Sequence, residues 1–144
     1  MSKDDLYSAF ISRMKSAHEA GNYFESSWYA YAILEDRLRS LLRSSGGEGQ
    51  GGPGKPIKMM GPKLRELKIR AKKDELLKAN FDHDPLNLWK NDRNNLIHAM
   101  ADASMPLDEI DLAAEKLSTE GINLVRDFSS ACRRIKKHRS KVTP

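Results

Sequence analysis

The sequence predicts an all-α chain, an up-and-down bundle of four to five helices, and three observations carry that prediction. Apolar residues recur at steps of three and four along most of the chain. Nowhere do four or more β-branched or aromatic residues alternate with polar ones between turn signals, so strands are not expected. No segment repeats at a period that would indicate a solenoid.

The first helix is expected from Lys3 to Ala20, with Tyr7, Phe10, Met14 and Ala17 on one face and Gly21-Asn22 stopping it. A second follows from Tyr23 to about Arg43. Its predicted apolar stripe is Phe24, Trp28, Tyr31, Leu38 and Leu42, and the position completing the rhythm is Glu35, which places a carboxylate on the buried face. Residues 44–62 are rich in Gly and Pro and are expected to form a flexible loop, because such a composition buries too little apolar surface to offset its ordering entropy. Residues 63–79 read as one short basic helix with Leu64, Leu67, Leu76 and Leu77 inward. Asp84-Pro85 is expected to open the next helix, as N-cap and first helical residue, and to run to about Ala103. The last and longest helix begins near Pro106 to Asp108 and keeps Leu107, Ile110, Ala114, Leu117, Gly121, Leu124, Phe128, Ala131 and Ile135 in register. A basic C-terminal tail, 133–144, ends the chain.

A length of 144 residues suits a single domain, 1–144. With 39% hydrophobic and 31% charged residues the chain is too apolar for disorder and too polar for a membrane. The N-terminus MSKDDLYSAF lacks the apolar core of a secretory signal, so the cytoplasm is the expected compartment. A single cysteine, Cys132, excludes an internal disulfide or a cysteine-based metal site and reads as a small core residue. The net charge of +5 suits a polyanionic partner.

Two motif-like strings are rejected on chemistry. Gly49 to Lys55 has the glycine spacing of a phosphate-binding loop, but Pro56 stands where Ser or Thr is required and a helix precedes it in place of a strand. Asp82-His83-Asp84 cannot turn three consecutive side chains onto one metal ion, and Asp84 is expected to cap a helix.

The helix that follows is more informative. At about 100° per residue, Asn87, Asn91, Asn94, His98 and Asp102 share a polar arc, while Leu86, Trp89, Leu96, Ile97 and Met100 share an apolar one that includes Arg93. A histidine that titrates near neutrality moves protons, an arginine clamps a phosphate, and an asparagine amide orients either group. Such a set suffices for attack of a ribose 2′-hydroxyl on its neighbouring phosphate, which requires proton transfer and charge stabilisation but no metal or cofactor.

The string W-K-N-D-R-N-N-L-I-H, late in a helical chain, resembles the Arg-x4-6-His signature of the HEPN ribonucleases, with Arg93, Asn94 and His98 in the places of its arginine, following polar residue and histidine. W-Y-A-Y-A-I-L-E-D-R-L in the second helix and M-G-P-K-L-R-E-L after the loop look similar to the same family. The resemblance implies a HEPN-like bundle acting as a metal-independent endoribonuclease of toxin or antiphage-defence type, with an antitoxin or regulatory protein as a further partner. It also implies a homodimer whose arginines and histidines converge across a two-fold axis. The alternative is a catalytically inactive HEPN-like adaptor that binds RNA or a protein.

Helix geometry points to the same dimer, because Arg93 and His98 lie about 140° apart on one helix. Trp89, Leu96 and Met100 exceed what so small a bundle must bury from that helix, and are candidates to face a partner chain. Glu35 is the expected supporting residue, a buried acid that orients Arg93. Lys55 to Lys78 holds nine Lys/Arg against three acids, and Arg133, Arg134, Lys136, Lys137 and Arg139 are the candidate RNA-binding residues.

Overall fold

Helix ends show how this sequence divides itself. Ser2 opens α1 (Lys3–Glu19): its Oγ accepts the Asp5 N–H at 3.1 Å while the Asp5 carboxylate accepts the Ser2 N–H at 3.3 Å, a reciprocal cap. Gly21, at φ +78°, turns the chain out of that helix, and the Asn22 N–H closes onto the Ala17 carbonyl at 2.8 Å. The turn leads straight into α2 (Tyr23–Ser44).

The computed structural model describes residues 1–46 and 57–142, with the side chain of Val142 excluded. Six helices and no strands occur among them, so the chain is all-α. The predicted loop 44–62 falls largely on 47–56, outside the described residues. At its edges the expectation is corrected: Ser44 belongs to α2, and Met60 to Pro62 begin α3 (Met60–Ala71). Pro62 fits the first helical turn, where its missing N–H removes no helix bond.

The predicted single helix over 63–79 is two. α4 (Glu75–Asn80) starts anew because Asp74 leaves helical geometry and accepts the Leu77 N–H at 3.0 Å. This break accounts for six helices where four to five are expected. α5 (His83–Ala101) begins before the expected cap: Asp82, not Asp84, accepts the first orphan N–H, from Asp84, at 3.2 Å. Ala103 ends that helix at φ +53°, with the Ser104 N–H bonded to the Ala99 carbonyl at 3.0 Å. α6 (Leu107–Val142) is continuous through the predicted C-terminal tail, which is therefore helical as far as the structure describes it.

The contacts group into two compact units: Met1–Ile33 with Leu88–Val125, and Leu34–Asn87 with Arg126–Pro144. The first unit buries Met14, Ala17, Ala30, Ile33, Trp89, Leu96, Ala114, Leu117 and Leu124. The second buries Leu34, Leu38, Leu41, Leu42, Leu64, Leu67, Leu77, Leu86, Phe128 and Ile135. The α6 register holds as predicted from Ala114 to Ile135, whereas Leu107 is exposed.

The α2 stripe is corrected at its start. Phe24 and Trp28 are 45% and 70% exposed, and the inward row is Ser26, Ser27, Ala30, Ile33 and Leu34. Two rows on α2 satisfy helical spacing. The one with small side chains turns inward because it lets backbones approach, and the buried Ser26 hydroxyl donates to the Met14 carbonyl at 2.9 Å.

In the second unit, α4 is strapped to the end of α6. Arg139 Nη2 donates to Asp74 at 2.8 Å and Arg134 Nε to Asn80 Oδ1 at 2.8 Å, while Phe81 meets Phe128 edge to face. No helix among the described residues is long and apolar enough to cross a membrane.

Candidate functional site

The three motif residues stand on α5, and its inward side chains fix their settings. Trp89 is buried and donates its indole N–H to the Leu117 carbonyl of α6 at 2.9 Å. Its ring lies against Gly121, where an added Cβ would come within 3.0 Å of Trp89 Cζ2 and 3.1 Å of Ala30 Cβ. Tyr31 lies with its ring centre 6.3 Å from that of Trp89, and the Arg93 guanidinium carbon stands 4.2 Å from the Tyr31 ring centre. Arg93 is thus half-buried and set on an aromatic column, and the quadrupole of the tyrosine ring holds its charge.

Arg93 also edges an apolar groove of about 260 Å³ lined by Phe24, Ser27, Trp28, Leu96, Ile97, Met100 and Leu117. Ile97 and Met100 are 47% and 44% exposed, so the outer half of the predicted apolar arc of α5 is uncovered in the single chain. Of the apolar side chains nominated to face a partner, Met100 is available, whereas Trp89 and Leu96 are spent on the core. The sequence reading missed Phe24, Trp28 and Tyr31 as parts of the site. Their signal is the set of aromatic residues on α2, three of which, Phe24, Trp28 and Tyr31, fall on the predicted interior stripe.

Asn94 and His98 are exposed, and neither takes part in a side-chain hydrogen bond among the described residues. Neither lines the groove that Arg93 edges. Ile97 lies between Arg93 and His98 on the helical wheel, about 40° from the first and 100° from the second. A surface that covers Ile97 therefore approaches both.

The expected role of Glu35 is corrected. Its carboxylate pairs with the Lys63 ammonium, whose side chain is 6% exposed, and the support of Arg93 is the Tyr31 ring instead. Lys63 reaches Glu35 from α3 with its stem among buried neighbours, a use of lysine that helical spacing does not reveal. The more deeply buried acid of α2 is Asp36, paired with Arg37 at 2.8 Å.

Of the candidate RNA-binding residues, Arg134 and Arg139 are occupied as struts to α4, and Arg133 bonds Ser130 Oγ at 3.0 Å. Lys136 and Lys137 are exposed. Burial alone would raise the Asp74 carboxyl. The Leu77 N–H, the Arg139 guanidinium and the Leu76 N–H outweigh that effect and hold it below the usual carboxylate range.

Charge is unevenly divided along the chain. The first unit has six Lys/Arg against eleven Asp/Glu, a net of −5, and the second nineteen against nine, a net of +10. The motif residues belong to the acidic unit.

Other reactive groups are engaged elsewhere. Burial pushes the Cys132 thiol up, and its Sγ donates to the Arg37 carbonyl at 3.4 Å, which disfavours the thiolate a nucleophile needs. His83 meets the Asp84 carboxylate at 3.1 Å while Asp82 caps α5, and no cluster of three His, Cys, Asp or Glu suited to a metal occurs among the described residues. No family model, no curated protein and no solved structure matches this chain.

Proposed function

We propose that this chain is a HEPN-type, metal-independent endoribonuclease whose site is Arg93, Asn94 and His98, completed when a second copy covers the groove beside Arg93. The observation that carries the reading is the uncovered apolar surface of Phe24, Trp28, Ile97 and Met100 around a half-buried arginine. Apolar surface of that kind marks an interface, and a two-fold axis along it duplicates every charged group at its rim. Two arginines on their tyrosines then supply fixed positive charge for a phosphate. The two exposed histidines supply the proton acceptor for the attacking 2′-hydroxyl and the donor for the departing 5′-oxygen.

The products are a 2′,3′-cyclic phosphate and a 5′-hydroxyl. A role as a toxin or antiphage effector, held in check by a protein partner, belongs to this reading. The deciding experiment is RNA cleavage in excess EDTA by wild type and by His98→Ala. The reading expects cyclic phosphate ends from the first and at least a hundredfold loss from the second. Cleavage that chelation abolishes and a divalent ion restores rejects the mechanism.

A second reading is favoured by the charge division. A net of −5 on the unit that holds the motif repels RNA, which suits a catalytically silent adaptor that uses the same groove for a protein. Wild-type protein that binds RNA or a partner without cutting any RNA would establish it.

A further inference from the structure

We infer that the face built by α4 and the end of α6 is a phosphate-backbone platform for RNA, separate from the Arg93 groove and carried entirely by the second unit. The inference takes RNA as ligand from the reading above but does not require cleavage.

The platform follows from how the straps are made. Arg134 and Arg139, five residues apart on α6, hold Asn80 and Asp74, six apart on α4 and in reversed order, so α4 runs antiparallel along α6. Asp74 is thereby neutralised by Arg139, and Glu66 of α3 by Arg70 at 2.9 Å. Asp74 and Glu66 are thus paired within this surface, Asp127 of α6 lies beside Arg126, and Glu75 and, just past α4, Asp82 are exposed. Lys72 and Lys73 stand in the turn that leads to Asp74, Lys78 on the outer side of α4, and Lys137 and Lys141 one turn apart on α6. All five are exposed, and none has an ion-pair partner among the described residues.

On the wheel Lys137 and Lys141 lie within about 60° of Arg134, the residue that reaches toward α4, so their charges border the same seam as Lys78. Along α6 they are about 6 Å apart, a spacing that two neighbouring phosphates of a flexible strand can match.

The alternative polyanion is an anionic membrane, and the surface lacks what a membrane requires. A helix that lies in a bilayer interface inserts large apolar side chains. On α4 and the second-unit part of α6, Leu77, Phe128 and Ile135 are buried, and the exposed large hydrophobic residues described in the second unit are Met59 and Ile69, at the start and near the end of α3, two side chains ten residues apart and not an insertion row. A lysine face over buried apolar side chains fits a solvated phosphodiester chain, which it grips by counterion release.

The test measures binding of a labelled single-stranded RNA by anisotropy across a salt series. The His98→Ala protein is the host, so that the RNA stays intact. Lys78→Gln/Lys137→Gln/Lys141→Gln is expected to weaken binding at least tenfold at low salt and to reduce the log–log salt slope by about 2, at about 0.7 per phosphate contact. The control, Lys15→Gln/Lys90→Gln/Lys116→Gln, removes the same charge from the first unit and is expected to stay within twofold. Circular dichroism melting confirms that both variants fold; if the platform triple does not, the single variants Lys137→Gln and Lys141→Gln are read in its place, each expected to reduce the slope by about 0.7. Equal losses in the two triples, an unchanged platform triple, or tighter binding to phosphatidylserine vesicles than to RNA overturns the platform. Platform-dependent binding with no cleavage by wild type removes the nuclease reading and leaves the platform. Cleavage whose KM ignores the platform lysines does the reverse.

Discussion

The Arg93 guanidinium stands 4.2 Å from the centre of the Tyr31 ring, and this contact, not an acid, positions the candidate arginine. A cation over a tyrosine face is worth about 0.5–1 kcal/mol when exposed and about 2 when desolvated. Arg93 is half-buried and sits between those limits. A double-mutant cycle of Arg93→Met and Tyr31→Leu in urea unfolding should return a coupling of about 1 kcal/mol. Tyr31→Phe, which keeps the ring, should retain most of it. Zero coupling would remove Tyr31 as the orienting group.

Gly121 tests the floor of the same column. Gly to Ala in a helix ordinarily stabilises by about 1 kcal/mol. Here the new methyl would lie 3.0 Å from Trp89 Cζ2, on a ring that cannot retreat because it is buried and bonded to the Leu117 carbonyl. Overpacking of this kind costs about 1–3 kcal/mol, so Gly121→Ala should lower stability. Trp89→Phe in the same chain frees space and a bond together, and should relieve the clash. A Gly121→Ala protein more stable than wild type would show that the helices separate freely.

Much of the fold was legible because helix signals are local. Gly21-Asn22, the α6 register from Ala114 to Ile135 and the absence of strands among the described residues follow from spacing and turn chemistry within a few residues. The misreadings occurred where two local patterns compete. On α2, Phe24 and Trp28 have the same spacing as Ser27, Ala30 and Leu34, and only packing between helices decides which row turns in. Asp74 and Asp82 became caps in place of longer or later helices because each side chain found an N–H two or three residues on. For the site, position on a wheel identified Arg93 as inward but could not identify its neighbour. Glu35 and Lys63 are 28 residues apart in the chain, and their pairing depends on tertiary placement.

The Asp74 cap carries a pH dependence. Its folded pKa is held below the ordinary value, so the stabilisation it provides is fully present above the unfolded carboxylate pKa of about 3.9 and is lost as pH falls through the lower folded value. Stability should therefore decline on the acid side of about pH 4, with α4 among the first segments to lose amide protection. Arg139→Gln removes one of the groups that lower the Asp74 pKa. It should bring the folded value closer to the unfolded one and flatten that part of the acid limb. Arg139→Gln and wild type with superimposable pH profiles between pH 2 and 5 would rule out the coupling.

The dimer is the prediction on which the catalytic reading depends. Trp28 is 70% exposed, Phe24 45%, Ile97 47% and Met100 44%, and all four belong to or border one groove in the first unit. Because these side chains lie at the surface, changing them should leave the folded chain nearly as stable as before. Trp28→Asp and Met100→Asp each place a charge where an apolar partner surface is expected, and burying it unpaired opposes association strongly. Wild-type protein should sediment as a dimer at concentrations where it cuts RNA, and either variant as a folded monomer with little cleavage, a wild-type helical circular dichroism spectrum and a melting curve that no longer depends on protein concentration. Mixing Arg93→Ala with His98→Ala chains is less informative, because a shared site can require all four groups. Sedimentation decides: a wild-type monomer at full specific activity excludes a composite site, since one α5 helix turns Arg93 and His98 about 140° apart.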